Sequence, residues 1–331
     1  MTHSPPISRR RGLQLALGCC AGAIMPVAST ATQSYRRVGL AFGTSVSITV
    51  QAASEAQAND AFDASFAEIR HIDRIAGLVR PDSALFQLNR DGVLHQPDPA
   101  LIDMLNMAQT MYQATDGAFD VTVQPLWRAL DNAAQRGTWP DETEIQALCQ
   151  RVNQQAVVYS HERIELTRPG MGITLNSLAR GLAADRVSAV LQAHGITSAF
   201  LDTDVLQGIG QPEHGGMWRA AIRDPRTTGT VATSAVSGFL ATSGDYQYFW
   251  SPDFKRNHIL DPRSGTSPQD FSSVSVLASS GLLADALSTA EFLVGQNKAP
   301  DLLAAFGAEA FFVAKDGRTS TTAHFPRLMD L

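Results

Sequence analysis

The amino-acid sequence predicts an α+β fold, in which helices and strands occupy different parts of the chain. Apolar residues recur every three or four positions in the first half of the 331-residue chain, whereas short runs rich in β-branched residues dominate its middle. The sequence also holds no internal repeat and no flexible linker. We therefore expect one domain with two lobes over residues 32–331, in which helices flank mixed or antiparallel sheets.

The first half of this domain predicts a pair of strands followed by helices. Ser54, Asp98 and Asp141 are candidate N-cap residues, and Pro81 is expected to end the first helix. The predicted elements, in order, are strands over 38–50 interrupted at Gly43, helices over 54–80 and 97–115, a third helix after Phe119 and a fourth from Asp141.

The second half predicts mainly strands. Two strands on either side of His161-Glu162 are expected to form a hairpin. Gly195 is expected to end the helix over 178–194. The predicted elements, in order, are strands over 156–160, 163–167 and 172–175, a helix over 178–194, strands over 199–201, 217–222, 235–240, 246–250 and 273–277, helices over 284–294 and 300–306, and a strand over 310–314.

Composition excludes several classes of protein. A hydrophobic fraction of 44% is typical of a globular protein, and three cysteines are too few for a disulfide scaffold. The net charge of -6 argues against nucleic acid as a partner, because phosphate binding depends on clustered Lys and Arg. Outside residues 1–31, no apolar run is long enough to predict a membrane span.

Residues 1–31 have the pattern of an export signal. Arginines at 9–11 precede an apolar stretch over 13–27, and small residues follow before Ala31. The paired arginines are typical of a twin-arginine signal, and a general secretory signal is the alternative. Cys19 lacks the aliphatic residue three positions earlier that lipid anchoring requires, so we expect cleavage near Ala31 and a periplasmic protein.

Three polar stretches carry the chemistry that the sequence offers; it has no nucleophile elbow, P-loop or dinucleotide-binding glycine motif. These stretches are 242–246, 258–265 and 284–290. Asp285 and Thr289 are four residues apart on a predicted helix, so both could offer oxygen to Mg²⁺ from one face. Taken singly, each stretch also has a structural explanation: a first-turn acid, a packed histidine and a polar turn.

Together and in this order, the three stretches resemble the ApbE family of FAD:protein FMN transferases. The resemblance extends to Phe42-Gly43-Thr44, to Thr115-Asp116-Gly117-Ala118-Phe119-Asp120, and to Ala179-Arg180-Gly181 with Asp185. It implies a flavin cleft between two α+β lobes. It also implies transfer of FMN from FAD to a Thr or Ser hydroxyl of an acceptor flavoprotein, with release of AMP.

The resemblance also implies a role for each matching residue. Asp285, Thr289 and the carbonyl of Ala179 would hold Mg²⁺, and His258, with Asp245 as a second candidate, would accept the proton of the incoming hydroxyl. FAD is the expected substrate. Its expected contacts are Phe42, Asp116, Gly117, Ala118, Phe119, Asp120, Arg180, Asp185, Thr242, Ser243, Gly244 and His258.

The sequence departs from the family pattern at four places. Phe42 replaces Met, Arg180 replaces Lys, 175–177 contains less glycine, and 202–205 lacks a glycine pair that would let backbone approach a ligand. Asn176 and Asp202 are similar to a NosX-like branch, which serves the membrane flavoprotein of nitrous-oxide respiration. Two alternatives stay open: an exported FAD carrier without transfer activity, and a Mg²⁺-dependent FAD pyrophosphatase.

Overall fold

The computed structural model describes residues 32–328, so the predicted export signal and Cys19 lie outside the described residues. The described chain begins with an antiparallel hairpin of β1 (Gln33–Ala41) and β2 (Thr44–Ala52). Phe42 and Gly43 form its turn with φ of 54° and 75°, the left-handed conformations that a tight two-residue hairpin requires. The predicted pair of strands is confirmed.

Among residues 32–328, eight α-helices follow the predicted order with one addition. Ser54 and Asp98 cap their helices as predicted, and Asp141 forms a complete capping box with Glu144. The helices are α1 (Glu55–Ala76), α2 (Ala84–Asp91), α3 (Pro99–Ala114), α4 (Gln124–Gln135), α5 (Glu142–Cys149), α6 (Ala179–Ala193), α7 (Gly281–Val294) and α8 (Ala299–Phe306).

An eight-stranded sheet, antiparallel at every pairing, forms the centre of the fold. Its strands lie in the order β1-β2-β6-β7-β10-β11-β12-β13. Those after the hairpin are β6 (Ala199–Asp202), β7 (Val205–Ile209), β10 (Phe239–Gly244), β11 (Phe271–Ala278), β12 (Glu309–Ala314) and β13 (Thr319–Thr321). Two smaller antiparallel sheets consist of β3 (Val93–His95), β5 (Arg163–Leu166) and β4 (Val157–Tyr159), and of β8 (Arg219–Arg223) and β9 (Thr230–Ala235).

The two faces of the large sheet are covered differently. Helices α1, α6 and α7 pack on one face, with α3 against these helices, and residues such as Ile48, Leu191 and Leu287 are fully buried there. The β8–β9 hairpin packs on the other face around Phe311. Alternation along a strand therefore decides whether a side chain faces α7 or the hairpin. No helix among residues 32–328 is long and apolar enough to cross a membrane.

An aromatic cluster joins α4 and α5 to the loop after β10. The Trp250 ring lies between two others: its centroid is 5.9 Å from that of Trp127 and 5.8 Å from that of Trp139. The Tyr248 hydroxyl and the Trp250 indole N–H both donate to Asp131 Oδ1, at 2.6 and 3.0 Å. This cluster holds in place the loop that contains Tyr248 and Trp250.

Three predicted elements are wrong. Residues 172–175 form no strand, and residues 246–250 form a turn with one isolated bridge between Phe249 and Asn257. The strand predicted over 235–240 falls on the connection between β9 and β10. The first helix ends at Ala76 rather than at Arg80, because Gly77 adopts an extended conformation. Helix α2 and strands β3, β7, β9 and β13 were not predicted, and the strand predicted over 235–240 reaches only the start of β10.

Candidate active site

Residues predicted to bind flavin surround a cavity of about 140 Å³. Its walls come from segments 118–124, 174–178 and 258–260, and from α7. The predicted residues that line it are Ala118, Phe119, Asp120, His258 and Thr289. Side chains from distant parts of the sequence thus converge on one concave site, as ligand binding requires.

A larger cavity of about 480 Å³ lies between α8, β12 and β13. Leu303, Phe312 and His324 line it, but none of the residues predicted to act on flavin does. Volume alone does not define a reaction site, whereas convergent polar groups do. We therefore assign the candidate active site to the smaller cavity.

Helices α6 and α7 cross in very close contact beside this cavity. A Cβ atom on Gly181 would lie 2.2 Å from the carbonyl oxygen of Gly281 and 2.8 Å from Cβ of Asp285. A Cβ atom on Gly281 would lie 2.4 Å from the carbonyl oxygen of Gly181. Because only glycine fits at both positions, the crossing brings Asp285 against the first turn of α6.

Asp285 is a buried carboxylate with one oxygen engaged. Its Oδ2 accepts a hydrogen bond from the Gly181 N–H at 3.0 Å, and no group among residues 32–328 donates to its Oδ1. Burial raises the pKa of Asp285 to about 6, although the positive charge of Arg180 and the Gly181 hydrogen bond oppose this shift. A carboxylate in this state would be stabilised by a bound cation.

The structural explanation for Asp285, that it stabilises the N-terminus of its helix as a first-turn acid, does not fit. Helix α7 begins four residues before Asp285, and Ser280 Oγ caps it by accepting from the Leu283 N–H. Asp185 accepts from the N–H groups of Gly281 and Leu282 at 2.6 and 3.0 Å. Asp185 therefore caps the start of α7 with both carboxylate oxygens. This role explains an acidic residue at position 185 without a contact to the nucleotide.

Three hydroxyl groups form a cluster one turn further along α7. Ser243 Oγ lies 2.8 Å from Ser288 Oγ and 2.9 Å from Thr289 Oγ1. Ser243, a predicted FAD contact, therefore lies beside Thr289, a predicted metal ligand. Thr242 points to the opposite face of β10, where its Oγ1 lies 2.7 Å from Ser275 Oγ, so it does not line the cavity. Gly244 packs against the Tyr246 ring, which a Cβ would meet at 2.3 Å.

The loop over residues 115–120 shapes the cavity mainly through its backbone. Asp116 and Gly117 have φ of 51° and 78°, and they turn the chain so that Ala118 and Phe119 line the wall. Asp120 accepts from the N–H groups of Thr122 and Gln154 at 2.7 and 2.9 Å, so its carboxylate holds the loop. Asp116 is exposed and pairs with Lys298 at 3.1 Å.

His258 presents one ring nitrogen to the cavity. Its Nδ1 and its backbone N lie 3.0 Å from the carbonyl oxygen of Tyr248. Since a carbonyl can only accept, Nδ1 carries the proton of the neutral ring and Nε2 keeps a free lone pair. Burial lowers the pKa of His258, and the charge of Arg180 lowers it further. The ring is thus a neutral base at physiological pH.

Asp245, the second candidate for proton acceptor, does not fit that role. It is 0% exposed, and its two oxygens each accept from Arg226 at 2.8 Å. Lys315 donates to the same carboxylate. With two cations bound and no solvent contact, Asp245 joins the ends of several strands and cannot reach a substrate proton.

Arg180 and Phe42 lie at the margins of the site. The guanidinium Nε of Arg180 is 3.1 Å from Asp204 Oδ2, so two of the departures noted in the sequence meet in one ion pair. Phe42 packs against the cores on both sides of α1, and its N–H donates to Asp73. Its flavin contact stays a prediction.

The sequence model of the ApbE family matches residues 42–312, which is most of the chain. The chain belongs to the ApbE family. A relative from Treponema pallidum, named FAD:protein FMN transferase, is 28% identical over 88% of this chain and 87% of its own length. Another of that name from Rhodobacter capsulatus is 29% identical over 95% of this chain and 62% of its own length.

Solved ApbE structures share the fold. The ApbE protein of Thermotoga maritima superposes with a TM-score of 0.78 at 26% identity, over 89% of this chain and 100% of that chain. The apo flavinyl transferase ApbE of Pseudomonas stutzeri superposes with a TM-score of 0.76 at 26% identity, over 88% and 95%. The resemblance and the α+β class that the sequence predicts are confirmed, and the relatives are enzymes.

The donor set predicted for Mg²⁺ consists of oxygens of three kinds. Asp285 offers an oxygen without a partner, Thr289 a hydroxyl in a polar cluster, and Ala179 a carbonyl in the first turn of α6. Among residues 32–328 no group of three or more His, Cys, Asp or Glu is placed to bind a metal. One carboxylate with neutral oxygens is a donor set that could hold Mg²⁺ together with phosphate oxygens of a substrate.

Four groups that shape the candidate site were not predicted from the sequence. The Tyr248 carbonyl orients His258, Gly281 permits the helix crossing, Ser288 completes the hydroxyl cluster, and Asp204 pairs with Arg180. Only Gly281 carries a usable signal, since a glycine next to a predicted helix start indicates a close approach. The other three act through tertiary contacts.

Proposed function

We propose that this chain transfers FMN from FAD to a threonine or serine hydroxyl of an acceptor flavoprotein, in a Mg²⁺-dependent reaction that releases AMP. The observation that carries the proposal is His258, which lines a cavity with Thr289, one helical turn from Asp285, and whose Nε2 has no partner among residues 32–328. The names of the Treponema and Rhodobacter relatives support the same reaction.

The acceptor hydroxyl oxygen attacks the phosphorus of the FMN half of FAD. A new P–O bond forms, the bond from that phosphorus to the bridging oxygen breaks, and AMP leaves with the electron pair. His258 Nε2 takes the hydroxyl proton, for which its neutral state is required. Mg²⁺ held by Asp285, Thr289 and Ala179 would neutralise charge on the pyrophosphate. The loop over 115–120 would position the substrate.

The decisive experiment incubates the mature protein with FAD, Mg²⁺ and a flavoprotein that serves as the FMN acceptor of an ApbE relative. A covalently fluorescent acceptor and an equal amount of AMP are expected, and replacing the acceptor threonine with valine should abolish both. Free FMN and AMP without labelled acceptor would indicate the pyrophosphatase alternative. Bound FAD with no AMP would indicate the carrier alternative, and either result would contradict transfer.

Variants of this reaction separate the two chemical roles. His258→Gln should lower the transfer rate by about 100-fold or more while leaving FAD affinity nearly unchanged, because only proton removal is lost. Asp285→Asn should abolish the dependence of rate on Mg²⁺. His161→Gln, in the exposed hairpin loop, and Asp103→Asn, on the surface of α3, are matched controls that should retain wild-type rates.

We further propose that the reaction takes place in the periplasm after export of residues 32–331. The paired arginines at 9–11 support export by the twin-arginine route, and the NosX-like features support a membrane flavoprotein of nitrous-oxide respiration as acceptor. Replacing Arg9 and Arg10 with lysines should retain the protein in the cytoplasm, as cell fractionation would reveal. Unchanged export would contradict the twin-arginine route.

A further inference from the structure

The turn between β6 and β7 presents one carboxylate to the active site. Asp204 occupies it with φ of 67°, the left-handed region that favours glycine. Asp202 Oδ1 accepts from the Asp204 N–H at 3.2 Å, and Thr203 bonds to the Val205 carbonyl, so other groups hold the turn. Among residues 32–328 the Asp204 carboxylate has one partner, Arg180, with Oδ2 3.1 Å from Nε.

Arg180 lies at the margin of the candidate site, beside the groups predicted to act on the substrate pyrophosphate. It is next to Gly181, which donates to Asp285, and its charge lowers the pKa of both Asp285 and His258. Its guanidinium is therefore within electrostatic reach of the predicted metal ligand and of the predicted base. A pyrophosphate that reacts between those two groups must pass close to Arg180.

The contact between Arg180 and Asp204 is loose. Nε lies at ion-pair distance from the carboxylate but without the alignment of a hydrogen bond, and no described residue accepts from the terminal guanidinium nitrogens. The Asp204 side chain is 42% exposed, so its carboxylate can turn into water at little cost. Arg180 can therefore exchange this partner for a phosphate, which offers two oxygens to its planar fork.

We propose that Asp204 is a built-in counter-ion that holds Arg180 in the site and yields it to the pyrophosphate of FAD. The inference rests on the proposed function and adds a positioning residue to it. Since carboxylate and pyrophosphate repel each other, binding of FAD separates Asp204 from Arg180, and departure of AMP restores the pair. Asp204 thus weakens binding of the nucleotide phosphates and favours release of AMP.

The test is a double-mutant cycle on FAD affinity, measured by titration of flavin fluorescence with Mg²⁺ present. Asp204→Asn should tighten FAD binding by about two- to fivefold at low ionic strength, the range set by a half-exposed ion pair. High salt should reduce the gain. Arg180→Gln should weaken FAD binding. Adding Asp204→Asn to Arg180→Gln should not change FAD affinity further.

Two further variants separate this role from a structural one. Asp204→Gly removes the charge and suits a φ of 67°, so it should fold and also tighten binding. Asp103→Asn breaks an equally exposed pair with Arg186 on the same helix and should leave affinity unchanged. Unchanged or weaker binding by both Asp204 variants, or tightening that persists with Arg180→Gln, would overturn the inference. A wild-type protein that binds no FAD would contradict the proposed function instead.

Discussion

A single backbone oxygen decides the chemistry of His258. The Tyr248 carbonyl fixes the proton on Nδ1, and the aromatic cluster around Trp250 fixes the loop that carries this carbonyl. The sequence could indicate His258 but not its tautomer, because the tautomer depends on a partner ten residues away that contributes only backbone. The residue type was readable, and its protonation state was not.

Glu291 on α7 provides a prediction at the scale of one residue. It is fully buried, neither carboxyl oxygen has a partner among residues 32–328, and burial raises its pKa to about 9 from a normal 4.5. The folded protein therefore holds a proton that the unfolded chain releases. Stability should fall as pH rises from about 6 to 9, by at most about 1.4 kcal/mol per pH unit.

Glu291→Gln cannot titrate and should remove this dependence on pH. Urea unfolding of both proteins above about pH 7, where Asp285 with its pKa of about 6 is mostly ionised, measures the difference. Parallel stability curves for wild type and variant would show that Glu291 is not protonated in the fold.

At the scale of elements, the crossing of α6 and α7 carries the site. Gly181→Ala would place a methyl group 2.2 Å from the Gly281 carbonyl oxygen, so the helices must separate. We expect a loss of about 1–3 kcal/mol of stability, with weaker binding of Mg²⁺ because Asp285 moves away from Ala179. Thermal unfolding and Mg²⁺ titration measure the two effects.

Gly172→Ala is the matched control for this substitution. Gly172 has neighbours for a Cβ only at ordinary contact distance, the nearest being Asn89 Oδ1 at 3.5 Å. It should therefore change stability little and leave Mg²⁺ binding intact. Equal effects of the two substitutions would show that the helix crossing is not a special constraint.

Elements with strong local signals were predictable, and those that depend on distant partners were not. Caps at Ser54, Asp98 and Asp141 marked their helices correctly. The apolar run at 172–175 resembles a strand, but the side chain of Asn89 bonds both N–H and C=O of Ile173 and takes the place of a partner strand. The aromatic run at 246–250 packs on α4 instead of entering a sheet.

At the scale of the whole molecule, ligand binding should stabilise the folded state. FAD with Mg²⁺ at about 100 times its dissociation constant should add about 2.7 kcal/mol to the free energy of unfolding, if the unfolded chain has no affinity. A higher melting temperature in the presence of both ligands, lost on chelation of Mg²⁺, is the expected result. In Asp285→Asn, FAD should still raise the melting temperature, but chelation of Mg²⁺ should not lower it. A drop on chelation in that variant would contradict the metal assignment.

The order of strands in the large sheet was beyond the sequence. Strand β2 pairs with β6, so residues near 48 lie beside residues near 201, and β7 is joined to β10 past the whole β8–β9 hairpin. Local periodicity contains no information on such pairings. The family resemblance, by contrast, pointed to His258 and Thr289, which line one cavity, and to Ser243, which contacts Thr289, because motif order reflects a shared fold.

The aromatic cluster gives the protein an internal optical probe. Three of its four tryptophans form a chain of rings, and the first of them, Trp127, lines the cavity assigned to flavin. Light absorbed by any of the three can migrate to Trp127 and from there to an isoalloxazine ring bound beside it. Arrival and departure of a flavin in this cavity should thus be visible in real time as a change in native tryptophan emission, with no label attached.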